Sequence, residues 1–141
     1  HLTQEVKNMA ELFSGEWTAS DKDEWNNEPE LSDALAKISF NSKIGYGFAG
    51  DDQAKGFLVI ENGKAVSANE YNGEELNWDL RASPENWNTW LEKGLGMASL
   101  GMAYVGGKLK FKTGDYSAMI KDPRMAGPFV KSFTVMGRVP R

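Results

Sequence analysis

The stretch "GGKLKFKTGD", Gly106 to Asp115, places a lysine directly behind paired glycines, the arrangement that phosphate-cradling loops use. Such a loop needs a glycine, four residues, Gly-Lys, and then Ser or Thr. Counted back from Lys108, the first glycine position holds Met102, and the hydroxyl position holds Leu109. The glycines also lead into an alternating strand pattern, whereas a phosphate loop leads into a helix. Nucleotide binding by this loop is therefore set aside. Asp21 and Asp23 stand at the first and third positions of a calcium loop, but Trp25, Asn26 and Ser32 fall where a ligand, the turn glycine and the closing glutamate belong. Asp79, Asp115 and Asp122 show no pairing pattern: Asp79 falls on the polar side of a strand and Asp115 at a helix start, so structural roles are expected. Lys108, Lys110 and Lys112 read as the wet side of a strand, where lysines also discourage edge pairing; contact with an anionic headgroup or coenzyme A is the other reading.

What the chain lacks narrows the chemistry further. It has no cysteine, and its only histidine is His1, so thiolate sites, Ser-His-Asp and Cys-His catalysis have no residues to work with. No metal and no cofactor is expected. Twenty acids against 16 bases give a net charge of −4, which argues against general nucleic-acid binding. No apolar run approaches the roughly 20 residues that span a bilayer, and a cytoplasmic address is expected. A first residue other than Met leaves room for a trimmed targeting segment. The length of 141 residues predicts a single domain over 1–141.

These residues need elements to hold them. Thr3 as N-cap with Val6, Met9, Ala10 and Phe13 at helical spacing predicts a first helix stopped by Gly15, and the polar, acidic 19–30 reads as a solvated loop. A short helix from Glu30 to Lys37 follows. From Ile38 the period becomes two, with Ile38, Phe40, Ile44, Tyr46 and Phe48 on one face. Strands over 54–61 and 64–71 meet at Asn62-Gly63, and Asn72-Gly73 gives a second hairpin signal before "ELNWDLRA". Successive tight turns predict an antiparallel meander. Ser83-Pro84-Glu85 marks a helix start, with Trp87, Trp90 and Leu91 on one face and Gly94 as its stop. "GLGMASLGMAYV" reads as a short buried helix, followed by a fifth strand over the opening stretch. Asp115 starts another helix, which Asp122-Pro123 breaks. A last helix carries Met125, Phe129 and Phe133, with Pro128 as a kink or boundary. The large apolar residues of this second half fit an ordinary core, and their methionines hint at an adaptable apolar cavity.

The block "LNWDLRASPENWNTWLEKGLGMASLGMAYVGGKLKFKTGDYSAMIK" resembles the sterol carrier protein 2 (SCP2) domain family, with "GKLKFKTGDYSAM" as its most specific part. The resemblance covers about 74–121 and agrees in layout over 1–73. It implies an α+β fold: a five-stranded, mainly antiparallel sheet with helices over one face, enclosing an apolar tunnel. It further implies non-catalytic binding or transport of a hydrophobic small molecule, such as a fatty acid, sterol or acyl-coenzyme A. The tunnel lining it implies is Trp78, Trp87, Trp90, Met97, Leu100, Leu109, Phe111, Met119, Met125, Phe129 and Phe133. Transient membrane contact and an enzyme partner are further partners this reading leaves open. The competing readings are an accessory domain whose aromatics fill the tunnel, working with a catabolic enzyme, and an isomerase-like site joining a carboxylate to Tyr46 or Tyr104.

Overall fold

The structure, a computed structural model, describes residues 10–141. Thr3, Val6 and Met9, on which the first expected helix rests, lie outside the described residues. Within them the chain forms α1 (Gly15–Asn26), α2 (Ser32–Ala36), β1 (Ser42–Phe48), β2 (Gly56–Glu61), β3 (Lys64–Glu70), β4 (Trp78–Ala82), α3 (Pro84–Lys93), α4 (Met97–Val105), β5 (Lys110–Thr113), α5 (Tyr116–Lys121) and α6 (Pro123–Met136).

Two early expectations are overturned in α1. Gly15 opens a helix, because Phe13 at φ 65° breaks the preceding path and the Ser14 side chain accepts from Trp17 N at 3.1 Å. The stretch from 19 onwards is helical to Asn26, with Trp17, Asp21 and Trp25 buried at i, i+4 and i+8. An acid in the middle of that inward stripe disguised the helix as a polar loop. Trp25 Nε1 donates to Gly63 O at 2.9 Å, tying α1 to the β2–β3 turn.

The sheet order is β3-β2-β1-β4-β5. Asn62 and Gly63 both have positive φ, at 48° and 81°, as a tight hairpin between β2 and β3 requires. The second hairpin signal misleads. After Asn72-Gly73 the chain crosses the sheet, and β4 pairs with β1 in parallel, Tyr46 opposite Leu80. Every other pairing is antiparallel, so the meander expectation holds for β1–β3 and fails at β4. The crossing gives β4 an inner place between β1 and β5, with both edges paired, and Asp79 to Ala82 are all buried there. The alternation of β4 hides this, because Asp79 and Arg81 enter the interior as an ion pair at 2.7 Å. Arg81 Nη1 donates on to Asp51 O at 2.8 Å. Gly45 and Gly47 keep the neighbouring face of β1 low, where Leu76, Ala54 and Arg81 close over it.

The C-terminal half follows its local signals. Ser83 accepts from Asn86 N, Asp115 from Ala118 N and Asp122 from Arg124 N, each as the cap of its helix. Asp79, Asp115 and Asp122 thus all serve structure. Pro128 lies inside α6 without ending it. The expected burial of α4 is reversed: only Leu100 and Ala103 are buried, while Met102 is 77% and Val105 86% exposed. α6 packs against α1, α2, α3 and α5 and closes the core.

Candidate functional site

The tertiary structure splits the aromatic residues into two neighbouring sets. The first is solid. Trp87 is fully buried, donates to Gly47 O at 2.9 Å, and has the rings of Phe13, Tyr46, Trp90 and Phe133 within 6.2 Å. Leu100 and Leu109 are also fully packed. The second set surrounds an apolar slot between the sheet and the C-terminal helices. Ile44 and Tyr46 come from β1, Trp78 and Leu80 from β4, Met119 from α5, and Met125, Phe129 and Ser132 from the segment 122–136, with Trp25, Leu31, Leu35 and Phe40 closing the far end. Among the described residues, no charged side chain lines it.

Of the residues that the sequence nominated, Trp78, Met119, Met125 and Phe129 meet at this slot. Phe111 stands one layer out, 5.8 Å from Phe129 and 6.0 Å from Trp78. Trp87, Trp90, Leu100, Leu109 and Phe133 lie in the packed core. Met97 lies on the surface, 46% exposed. The sequence reading missed the contributions of the N-terminal half. Trp25, hidden in the supposed loop, would have emerged from its i+8 spacing with Trp17; Leu31 and Leu35 carried no signal beyond ordinary amphipathicity.

The slot holds about 40 Å³, room for a few waters and well short of the roughly 300–1,000 Å³ of a typical ligand site. Beside it lies an open depression of about 360 Å³, rimmed by Asn77, Gly114, Asp115, Ala118 and Asp122. The two spaces share Trp78, Met119 and Met125 as walls. Those three side chains stand between the two spaces. Two of them are methionines, whose unbranched thioethers change rotamer at little cost.

One buried group is chemically unusual. Asp21 is fully buried, and among the described residues neither its carboxylate oxygens nor Trp17 Nε1 have a hydrogen-bond partner. Burial, reinforced by Glu24, pushes the Asp21 carboxyl up to about 8, so it is protonated and neutral at neutral pH. Burial, with Asp21 adding to it, also raises the Tyr46 hydroxyl above its ordinary value. Of the two tyrosines in the isomerase-like reading, Tyr46 lines the slot and Tyr104 lies on the surface, and among the described residues no carboxylate lines the slot beside Tyr46. Among the described residues, no group of three or more acids or histidines is arranged to hold a metal ion.

Among the described residues, the five-stranded mixed sheet, mostly antiparallel, with its six helices is an α+β fold that matches sterol carrier protein 2 structures. A crystal structure of sterol carrier protein 2 matches with a TM-score of 0.74 at 20% identity, over 92% of this chain and 99% of that chain. A candidate sterol carrier protein from Thermus thermophilus matches at 0.61 and 19% identity, over 92% of this chain and 87% of that one. A ubiquinone synthesis protein, UbiJ-SCP2, matches at 0.56 and 12% identity, over 92% and 95%. No family model matches the sequence, and no curated protein does. The likeness is one of fold, and it agrees with the resemblance carried by the motifs of 74–121. Among the described residues, no helix is long and apolar enough to cross a membrane.

Proposed function

We infer that this protein binds a hydrophobic small molecule between its sheet and C-terminal helices, without transforming it. The observation that carries the reading is the uncharged slot behind Trp78, Met119 and Met125, opening toward a depression some nine times its size. It gains support from the place that sterol carrier protein 2 structures hold among the fold neighbours. A ligand enters through the depression, turns Met119 and Met125 aside, and buries its apolar part against Phe129, Tyr46 and Leu80. Each buried CH₂ contributes about 0.8 kcal/mol, so affinity rises with chain length and depends weakly on the headgroup. A non-catalytic role is supported by the lining of the slot, which among the described residues holds no carboxylate, histidine or lysine. Transport follows from the same reading, since a carrier needs a reversible gate and no chemistry.

Titration with a homologous series of fluorescent alkyl probes tests this. Micromolar binding that strengthens with chain length is expected, and Met119→Trp, which blocks the gate, abolishes it. Absence of binding by both fluorescence and native mass spectrometry would overturn the proposal. That outcome would leave the slot as part of a filled core and favour the accessory-domain reading, in which an enzyme partner is sought by co-purification.

A further inference from the structure

Residues 93–114 carry four lysines, Lys93, Lys108, Lys110 and Lys112, and no acid, within a chain of 20 acids and 16 bases. All four are exposed, and none joins an ion pair among the described residues. Between Lys93 and Lys108 no residue is charged, and there α4 turns Met97, Met102 and Val105 to solvent. A surface helix normally shows the reverse, with apolar residues inward and charge outward. Exposed contiguous apolar side chains mark an interaction surface. The turn after α4 is tight, since the N–H groups of Lys108 and Leu109 both donate to Ala103 O. It sets Lys108 within one turn of Val105, and the edge strand β5 continues the lysines outward. The acids that flank the segment are engaged elsewhere: Glu92 pairs with Arg141 at 3.8 Å, Asp115 caps α5 and Asp122 pairs with Arg124.

We propose that α4 and the lysines of β5 form a docking surface for an anionic lipid membrane, with Met97, Met102 and Val105 entering the headgroup boundary and Lys93, Lys108, Lys110 and Lys112 meeting the phosphates. The combination selects this occupant. Exposed apolar residues flanked in the chain on both sides by exposed lysines, on a protein of opposite net charge, fit a surface that is apolar beneath and anionic above. A second copy of the chain would bring four more lysines to the same place. Lys112 Nζ donates to Asp52 O at 3.3 Å, and its long stem lets the charge move to the interface. Position adds a use for the surface: Gly114, two residues past Lys112, lies on the rim of the depression that leads to the slot. Docking on α4 holds that mouth beside the lipid.

Vesicle flotation tests the surface independently of the ligand, because it needs no occupant in the slot. Wild type is expected to bind phosphatidylcholine vesicles containing phosphatidylglycerol, to bind pure phosphatidylcholine at least tenfold more weakly, and to be released by salt. Lys108→Gln with Lys110→Gln is expected to lower anionic binding roughly tenfold. Met102→Ser with Val105→Ser lowers it similarly, and Val66→Ser, an exposed apolar site on β3, leaves it unchanged. Unaltered melting temperatures show that the variants fold. Equal binding to both vesicle types, anionic binding untouched by either double variant, or sedimentation as a dimer that Met102→Ser disrupts would each overturn the proposal.

Discussion

Asp21 places a titratable group where water does not reach, and that fixes a pH dependence. Its carboxyl has an ordinary value of 3.8 and a native value of about 8. As pH rises from about 4 to about 8, the unfolded chain gives up this proton while the native chain keeps it. Stability therefore falls across that window, by up to about 1.4 kcal/mol per pH unit, and levels off above it. Asp21→Asn removes the titration. Urea unfolding at pH 5 and pH 8 is expected to show wild type losing about 2 kcal/mol or more relative to the variant on going to the higher pH; parallel losses would contradict the assignment. The Asp79–Arg81 pair behaves differently, because each charge satisfies the other. Arg81→Met strands Asp79 among apolar neighbours and is expected to cost about 3–5 kcal/mol in chemical denaturation. Neither burial was legible in the sequence, where Asp21 matched a solvated loop and Asp79 the wet side of a strand. A charge is placed inside by what packs over it, and those groups come from distant parts of the chain.

The elements divide by how local their causes are. Ser83-Pro84, Asp115 and Asp122-Pro123 act within three residues, and each formed the helix start its chemistry dictates. Ser83→Ala is expected to cost about 1 kcal/mol in thermal unfolding. Gly114 is required for two reasons. Its φ is 113°, and an added Cβ would meet the ring of Trp78. Gly114→Ala is expected to destabilise by more than about 1 kcal/mol, and to quench or shift tryptophan emission, because the displaced ring is a wall of the slot. By contrast, β4 and α4 were misjudged for one shared reason. Their placement depends on which neighbour covers them, and neither a second Asn-Gly turn nor an apolar run specifies that neighbour.

At the scale of the molecule, the slot is held nearly closed by a side chain that can be removed. Phe129→Ala deletes a ring between Phe111 and Phe133 and is expected to destabilise the unliganded protein by about 3 kcal/mol. The same variant enlarges the slot, so it is expected to bind bulkier probes than wild type does. A probe at one hundred times its Kd adds about 2.7 kcal/mol to stability, several degrees in Tm by scanning calorimetry. A variant that loses stability without accepting larger probes would place Phe129 in ordinary core. The sequence by itself determined the features whose causes lie close in the chain: the caps, the Asn62-Gly63 hairpin, the alternation of β1, the absence of thiol and imidazole chemistry, and the motif block of 74–121 that resembles sterol carrier protein 2. Only the tertiary structure decided that β4 runs parallel to β1, that α4 faces outward, that Asp21 is enclosed, and that four of the eleven nominated residues gather at one slot. Those outcomes rest on contacts such as Trp87 with Gly47 and Trp25 with Gly63, about forty residues apart, and hydrophobic burial has no direction of its own to record such pairings in local spacing.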